Sequence, residues 1–287
     1  MPDRSLDSET FGQLNAQSVD PPEQPNGWWG YRHEPPDPLS ITRLVDSGLL
    51  DPCTAAFLWL AIEAKASVFV VSEPSNAGKT TFLTALLDFL PEQVRRIYLR
   101  GWYERFTFMS EDDPAESYLL CNEISSHLPI YLWGRGVRRM FDALHAGFSL
   151  ATTAHTTGAE GVIELLSAYP LQIPDQLILD IDFVITLGIG RGSAGPARRL
   201  LRIEEIVEQA GKPAASTIVE REGTLGRLDA PAGRYIGILS RRFGLSSSLL
   251  TTELARRQHL IQRLVVNHVF RVEDVRQAIR AYLADAP

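Results

Sequence analysis

Cysteine and long apolar runs are the features this sequence has least of. Only two of the 287 residues are cysteines, Cys53 and Cys121, and both lie among apolar neighbours. This placement indicates buried free thiols rather than a disulfide framework or a metal site, and it suits a reducing cytosol. The longest apolar run, 55–62, ends at Glu63, so it is too short to cross a bilayer.

An excess of positive charge is also lacking. The chain has 28 Lys and Arg against 35 Asp and Glu, a net charge of −7, which gives no general reason for binding nucleic acid or a membrane surface. The sequence has no basic stripe with interleaved aromatic residues, so we expect no nucleic-acid partner. The N-terminal MPDRSLDSET has neither the basic start nor the apolar core of a signal peptide, which predicts a cytoplasmic protein.

The remaining composition is that of an ordinary globular protein, with 45% hydrophobic and 22% charged residues. The length suffices for one large α/β domain or two small ones. Residues 1–37 are polar and rich in proline, which predicts a disordered or extended tail. Trp28, Trp29 and Tyr31 form an aromatic group within it that must pack either on this domain or on a partner.

The most informative stretch runs from Ser67 to Leu90 and reads SVFVVSEPSNAGKTTFLTALLDFL. The apolar 67–72 predicts a strand buried on both faces, and the apolar residues after Lys79 have helical spacing. A strand, a polar loop and Gly-Lys-Thr at a helix start are the layout of a phosphate-binding P-loop. Glu73 stands where the usual pattern has its first glycine. The alternative is a chance Gly-Lys-Thr with no nucleotide.

The P-loop interpretation assigns a role to each position of the turn. Backbone N–H groups and the helix N-terminus would bind phosphate, Lys79 would reach the β- and γ-phosphates, and the Thr80 hydroxyl would coordinate Mg²⁺. The predicted nucleotide-binding residues are Pro74, Ser75, Asn76, Ala77, Gly78, Lys79, Thr80 and Thr81.

Two further apolar stretches end in titratable side chains. The stretch 118–123 ends in Glu123, and 149–155 ends in His155. The carboxyl ends of parallel strands share one edge of a sheet, so we expect both side chains near Lys79. An acid so placed is the Walker B arrangement, which orients a water or helps to hold Mg²⁺ through a water. A lone strand-end histidine is usually structural, but here it would contact the γ-phosphate.

Strands and helices alternate from 67 to 190, which predicts a parallel sheet with helices on its faces. An antiparallel pair, 198–206 with 216–220, and helices over 235–283 follow. We expect the charged residues of these last helices on solvent-exposed faces, namely Glu253, Arg256, Arg257 and Arg263. The predicted divisions are a tail (1–37), a helical lead-in (38–66), a nucleotide-binding core (67–190) and C-terminal strands with a helical subdomain (191–287).

These motifs, in this order, resemble the type II/type IV secretion ATPase superfamily, and most closely its archaellum and pilus-assembly motors. YLLCNEI resembles the family's Walker B, and SLATTAHTTGAEGVIELL resembles its His box, with His155 in the box position. The resemblance runs from about Pro38 to the C-terminus, with a short lead-in where the family has a larger N-terminal domain. It implies a RecA-like P-loop NTPase core, with a parallel-type sheet flanked by helices, followed by antiparallel strands and a helical subdomain.

The resemblance also implies a function. It predicts a cytoplasmic ATPase using ATP and Mg²⁺, peripheral at the cytoplasmic membrane face, which forms a hexameric homo-oligomer and acts on an inner-membrane platform protein. The family's acidic box falls on LRGWYER, where only Glu104 matches, so the predicted catalytic residues are Glu123, His155 and Glu104. A neighbouring subunit's arginine would complete the site, with Arg95, Arg96, Arg100 and Arg105 as candidates. The alternative is a nucleotide-binding regulatory or assembly subunit with little or no hydrolysis.

Overall fold

A computed structural model describes residues 38–72, 74, 76–192, 195–222, 228–229 and 232–284. The predicted tail, its aromatic group, Glu73 and Ser75 lie outside these residues. The helices are α1 (Ile41–Asp46), α2 (Pro52–Glu63), α3 (Lys79–Leu86), α4 (Phe108–Glu111), α5 (Arg135–His145), α6 (Gly158–Ser167), α7 (Asp175–Ile178), α8 (Ala232–Phe243), α9 (Ser247–Val266) and α10 (Val272–Ala284). None of the helices within the described ranges is long and apolar enough to cross a membrane.

The strands join into one eight-stranded sheet with the order β2-β3-β4-β1-β5-β6-β7-β8. Neighbours from β2 to β5 pair in parallel, whereas β6, β7 and β8 are added antiparallel. The predicted α/β class, with a parallel-type sheet flanked by helices and continued by antiparallel strands, is therefore confirmed. The strands are β1 (Val68–Val71), β2 (Arg95–Tyr98), β3 (Ser117–Ile124), β4 (Ser149–Ala154), β5 (Phe183–Gly192), β6 (Gly195–Gln209), β7 (Lys212–Arg221) and β8 (Leu228–Asp229).

The strand that precedes the P-loop, β1, lies between β4 and β5 and is buried along its whole length. Val68 and Val70 enter an apolar core built with α1, α2, α3, α8, α9 and α10. Phe69 and Val71 enter a second core on the opposite face, built with α5, α6 and α7. Side chains alternate across a strand, so a strand covered on both faces is apolar at every position, as the sequence predicts.

The helical lead-in has a capping side chain at the start of each helix and is tied to the C-terminal helices. Ser40 accepts the N–H of Arg43 at 3.3 Å, and Asp51 accepts the N–H of Cys53 at 2.9 Å. The Ser40 hydroxyl also donates to the carbonyl of Phe270 at 2.7 Å. The short helix α1 is therefore held by the segment that leads into α10.

One expectation for the C-terminal helices is wrong. The charge pattern of α9 predicts Arg257 on a solvent-exposed face, but its side chain is only 4% exposed. It forms ion pairs with Glu63 of α2 at 2.6 Å and with Glu253 at 3.2 Å, and its guanidinium lies 4.9 Å from the ring centre of Trp59. Sequence spacing alone does not show that α9 packs on α2, whose last residue neutralises the buried cation.

The two cysteines are free thiols, as predicted. Cys121 is buried in β3 and Cys53 is half-buried in the first turn of α2. Burial raises the pKa of Cys53 to about 11 and that of Cys121 to about 12. Both side chains therefore stay protonated near neutral pH, and they act as small apolar groups.

We expect Arg257→Ala to lower the free energy of unfolding by about 3 kcal/mol, because removing one partner of a buried pair leaves the others uncompensated. Urea denaturation followed by circular dichroism would measure the change. Arg256→Ala is the matched control, since that side chain is 42% exposed and exposed ion pairs contribute about 1 kcal/mol or less. Equal losses in the two variants would contradict a specific role for the buried cation.

Candidate functional site

The turn between β1 and α3 has backbone geometry suited to an anion. Asn76 has φ 68° and Gly78 has φ 90°, so both adopt the left-handed conformation. Asn and Gly are the residues that adopt it most readily, and such turns gather N–H groups into a concavity that binds anions. A Cβ at position 78 would also lie 3.0 Å from Cδ of Arg198, which is a tight contact.

Helix α3 starts at this turn without a capping side chain. Gly78 occupies the N-cap position and forms no side-chain hydrogen bond there. The first-turn N–H groups of Lys79, Thr80 and Thr81 are therefore not satisfied by a cap, and the helix adds its partial positive charge. Phosphate oxygens fit this donor set. Around it, Pro74 and Asn76 are exposed and Ala77 is buried.

The structure brings together three of the side chains predicted to be functional. Lys79 opens α3, Glu123 lies near the end of β3, and His155 directly follows β4. Lys79 Nζ is 3.3 Å from each ring nitrogen of His155, and His155 Nε2 is 3.4 Å from Glu123 Oε2. Because β4 lies between β3 and β1, the sheet order itself puts His155 between the acid and the lysine.

A neutral His155 ring fits between these two ions. Its Nδ1 can accept a hydrogen bond from the Lys79 ammonium while its Nε2–H donates to the Glu123 carboxylate. Burial, with added repulsion from Lys79 and His127, lowers the pKa of His155 below its ordinary 6.5. The ring is therefore neutral at neutral pH, which is the state that this arrangement requires.

The two ions at the ends of this cluster are both taken out of water. Lys79 and Glu123 are each 7% exposed. Burial lowers the pKa of Lys79, and the nearby Glu123 opposes that shift. Burial raises the pKa of Glu123, and the charges of Lys79 and His127 oppose that shift. Each ion thus favours the charged state of the other. An anion that binds beside Lys79 would further favour the charged state of Lys79.

Glu104 is bonded to the backbone of its own loop. Its Oε2 accepts the N–H of Arg100 at 2.9 Å, and its Oε1 accepts the N–H of Phe106 at 2.7 Å. The loop packs on the segment after β3, where a Cβ at Gly101 would come 2.2 Å from the carbonyl oxygen of Pro129. The carboxylate therefore shapes this loop, and its catalytic role stays a prediction.

Arg95 and Arg96, both considered for a neighbour's site, bond within their own chain. Arg95 is paired with Asp112, and Arg96 donates to the carbonyl of Leu87 at 2.9 Å. Arg105 is exposed. Arg95 and Arg96 are thus engaged within the chain, whereas the Arg105 side chain is exposed to solvent.

Sequence reasoning missed the contribution of β6 to the site. Arg198 Nε donates to the carbonyl of Asn76 at 3.0 Å. Farther along the strand, the buried Glu204 accepts the N–H of Ala159 at 2.9 Å, in the first turn of the helix that follows His155. The only local signal was a charged strand, because the antiparallel pairing that brings these residues to the site joins distant parts of the chain.

The site offers few ligands for a metal ion of its own. Among the residues that the structure describes, no group of three His, Cys, Asp or Glu side chains could hold one. Mg²⁺ bound to a nucleotide takes most of its ligands from phosphate and water, so one hydroxyl is a fitting protein contribution. Thr80, half-buried at the start of α3, has such a hydroxyl, and its Mg²⁺ role stays a prediction.

Comparison with known proteins found two archaeal relatives, and no family model matches the chain. The uncharacterized protein MJ1287 of Methanocaldococcus jannaschii is 30% identical over 186 residues, which are 58% of this chain and 68% of that protein. The uncharacterized protein MJ0900 of the same organism is 25% identical over 188 residues, or 59% of this chain. The chain spans only 34% of MJ0900.

Two solved structures show a partial likeness of fold. The VirB11 ATPase from the Brucella suis type IV secretion system, crystallised with sulphate, has a TM-score of 0.41 at 19% identity, covering 57% of this chain and 54% of that chain. The ATPase DotB of Legionella pneumophila has a TM-score of 0.33 at 12% identity, covering 78% of this chain and 63% of that chain. The chain thus spans less than two thirds of either protein.

The lowered pKa of His155 predicts a loss of stability in mild acid. The unfolded chain binds a proton near pH 6.5, whereas the folded protein does so only at lower pH, so stability falls as pH drops through this window. We expect His155→Asn to lose less stability than the unaltered protein between about pH 7.5 and 5.5. Urea midpoints across the range would measure this.

The control for that experiment is His259→Asn, an exposed position on α9. It should retain the pH dependence of the unaltered chain. Glu123, whose pKa is raised above 4.5, contributes in the opposite sense at lower pH, since the folded state then binds the extra proton. Parallel pH profiles for His155→Asn and the unaltered protein would contradict the expectation.

Proposed function

The chain belongs to the same family as the uncharacterized protein MJ1287, and we propose that it binds and hydrolyses ATP as a cytoplasmic subunit of a type II/IV secretion or pilus-like apparatus. The names of its relatives give no activity, so the proposal depends on the site. The observation that supports it most is the uncapped, left-handed turn at Gly78, which opens directly beside the Lys79–His155–Glu123 cluster.

The turn and the first turn of α3 would bind the phosphates, and Lys79 would neutralise their charge. The predicted phosphate-binding residues Pro74 to Thr81, of which the structure describes all but Ser75, fit this task. ATP bound there would supply a γ-phosphoryl group for transfer to water, and the Thr80 hydroxyl would help to hold the accompanying Mg²⁺. The protein's own side chains would then have to orient one water molecule and accept its proton.

Glu123 would orient the attacking water and accept its proton. The carboxylate lies at the carboxyl edge of the sheet, close to Lys79, and burial raises its pKa, which makes it a stronger proton acceptor. His155 contacts both ions. When Lys79 turns to the phosphates, its hydrogen bond to His155 would be replaced by one to a phosphate oxygen. The contacts of His155 would therefore change when a γ-phosphate is present.

We further propose that the protein works as a hexameric ring at the cytoplasmic face of the inner membrane. Its partner there would be a platform protein of the apparatus. The order of the motifs supports this, since the Walker B and His-box stretches resemble those of ring-forming motors. Arg105, which is exposed, is available to complete a neighbour's site in such a ring.

A second candidate is a nucleotide-binding assembly or regulatory subunit with little turnover. The observation in its favour is Glu104, the one residue that matches the family's acidic box. Both oxygens of this carboxylate are bonded to backbone N–H groups of its own loop. An acid so engaged is less available to a metal ion or a water. This candidate predicts ATP binding without hydrolysis.

We expect Lys79→Ala to abolish ATP binding and hydrolysis, because it removes the buried cation at the turn. Glu123→Gln should retain binding but lower turnover by about 10²- to 10⁴-fold, the usual contribution of a general base. Phosphate release and equilibrium binding of a fluorescent ATP analogue, measured with Mg²⁺, would test both. Glu164→Gln, an exposed position on α6, is the matched control for the carboxylate change.

The two candidate functions give different results in this assay. Turnover in the unaltered protein that both Lys79→Ala and Glu123→Gln abolish would exclude the subunit without hydrolysis. ATP binding without turnover, in a preparation whose ring is verified by light scattering, would exclude the motor. Failure to bind any nucleoside triphosphate would exclude both.

A further inference from the structure

Arg198 lies across the phosphate-binding turn although it comes from a distant strand. It pairs with Ile189 in the antiparallel ladder of β5 and β6, which fixes its backbone. Its Nε donates to the carbonyl of Asn76 at 3.0 Å. Its Cδ and Nε lie 3.0 and 3.4 Å from the point where Gly78 would carry a Cβ, so the side chain follows the surface of the turn.

The bond from Arg198 is made to a turn residue in the left-handed conformation. Asn76 is a non-glycine residue with φ 68°. A conformation of this kind costs about 1 kcal/mol or more and persists where surrounding contacts hold it. The hydrogen bond from Arg198 is a contact of that kind, because it acts on the carbonyl of the strained residue itself.

The far end of the Arg198 side chain is not used by the bond to Asn76. The residue is exposed, and within the described ranges its two Nη atoms form no hydrogen bond or ion pair. An arginine has five N–H donors in a rigid fork that matches phosphate oxygens. The Nε–H is used on the protein side, which leaves the terminal N–H groups for an anion at the turn.

We propose that Arg198 is a positioning residue that stabilises the phosphate-binding turn. Its Nε–H holds Asn76 in the conformation that forms the anion nest, and its Nη groups, which have no partner among the described residues, supply a second positive charge for the phosphates of a nucleoside triphosphate. The second half of this inference rests on the proposed function. The first half concerns the protein alone and is measurable without nucleotide.

The test compares the unaltered chain with Arg198→Ala and Arg198→Lys. Hydrogen exchange of peptides covering 74–81, without nucleotide, measures how strongly Arg198 stabilises the turn. The Kd of a fluorescent ATP analogue measures the contact between Arg198 and phosphate. We expect Arg198→Ala to speed exchange and to raise the Kd, each by about tenfold, the effect of losing one hydrogen bond to a charged group. Arg198→Lys should recover part of both, since a single ammonium cannot serve both partners.

Arg199→Ala is the matched control. It is the next residue of β6, but its guanidinium donates to the carbonyl of Ser47 at 3.0 Å instead of to the phosphate-binding turn. It should leave exchange over 74–81 and the Kd within about twofold of the unaltered values. Equal thermal midpoints for the Arg198 variants and the unaltered chain would show that the fold is intact.

The outcomes separate this inference from the proposed function. If the unaltered protein binds the analogue and Arg198→Ala changes neither exchange nor Kd, the inference is overturned and the proposed function stands. Faster exchange in Arg199→Ala as well would also overturn it, since the effect would then belong to the strand. If the unaltered protein binds no analogue, the proposed function and the proposed contact between Arg198 and phosphate fail together. Hydrogen exchange in Arg198→Ala then still tests whether Arg198 stabilises the turn.

Discussion

The burial of β1 on both faces is the constraint on which the rest of this structure depends. A four-residue strand with no polar face is stable only if strands flank it and helices cover it. Here β4 and β5 flank β1, and two separate apolar cores cover it. Once β1 is central, the turn that follows it must open at the carboxyl edge of the sheet, where β3 and β4 also end.

Much of this arrangement is readable from local sequence. The run 67–72, the glycine before Lys79 and the polar ends of two apolar stretches predict a strand, a turn and two side chains at one edge, and the structure brings Lys79, Glu123 and His155 within hydrogen-bonding or ion-pairing distance. These features depend on neighbours a few residues away. Local propensity and periodicity are then sufficient.

The features that sequence reasoning missed depend on contacts between distant segments. Arg257 belongs to a charged pattern that is typical of a solvated helix face, yet α9 packs on α2 and buries it against Glu63. Arg198 and Glu204 are ordinary charges of an antiparallel strand until the pairing register brings one to Asn76 and the other to Ala159. Register is set by packing across the sheet and not by the residues beside each charge.

Strand β6 contacts two separate loops of the site. Arg198 and Glu204 are six positions apart, a span of about 20 Å in an extended chain, and the ladder from β6 to β5 contains a β-bulge between them. One end is bonded to the turn after β1 and the other to the helix that begins after His155. Because one strand contacts both loops, the distance between them depends on the conformation of β6.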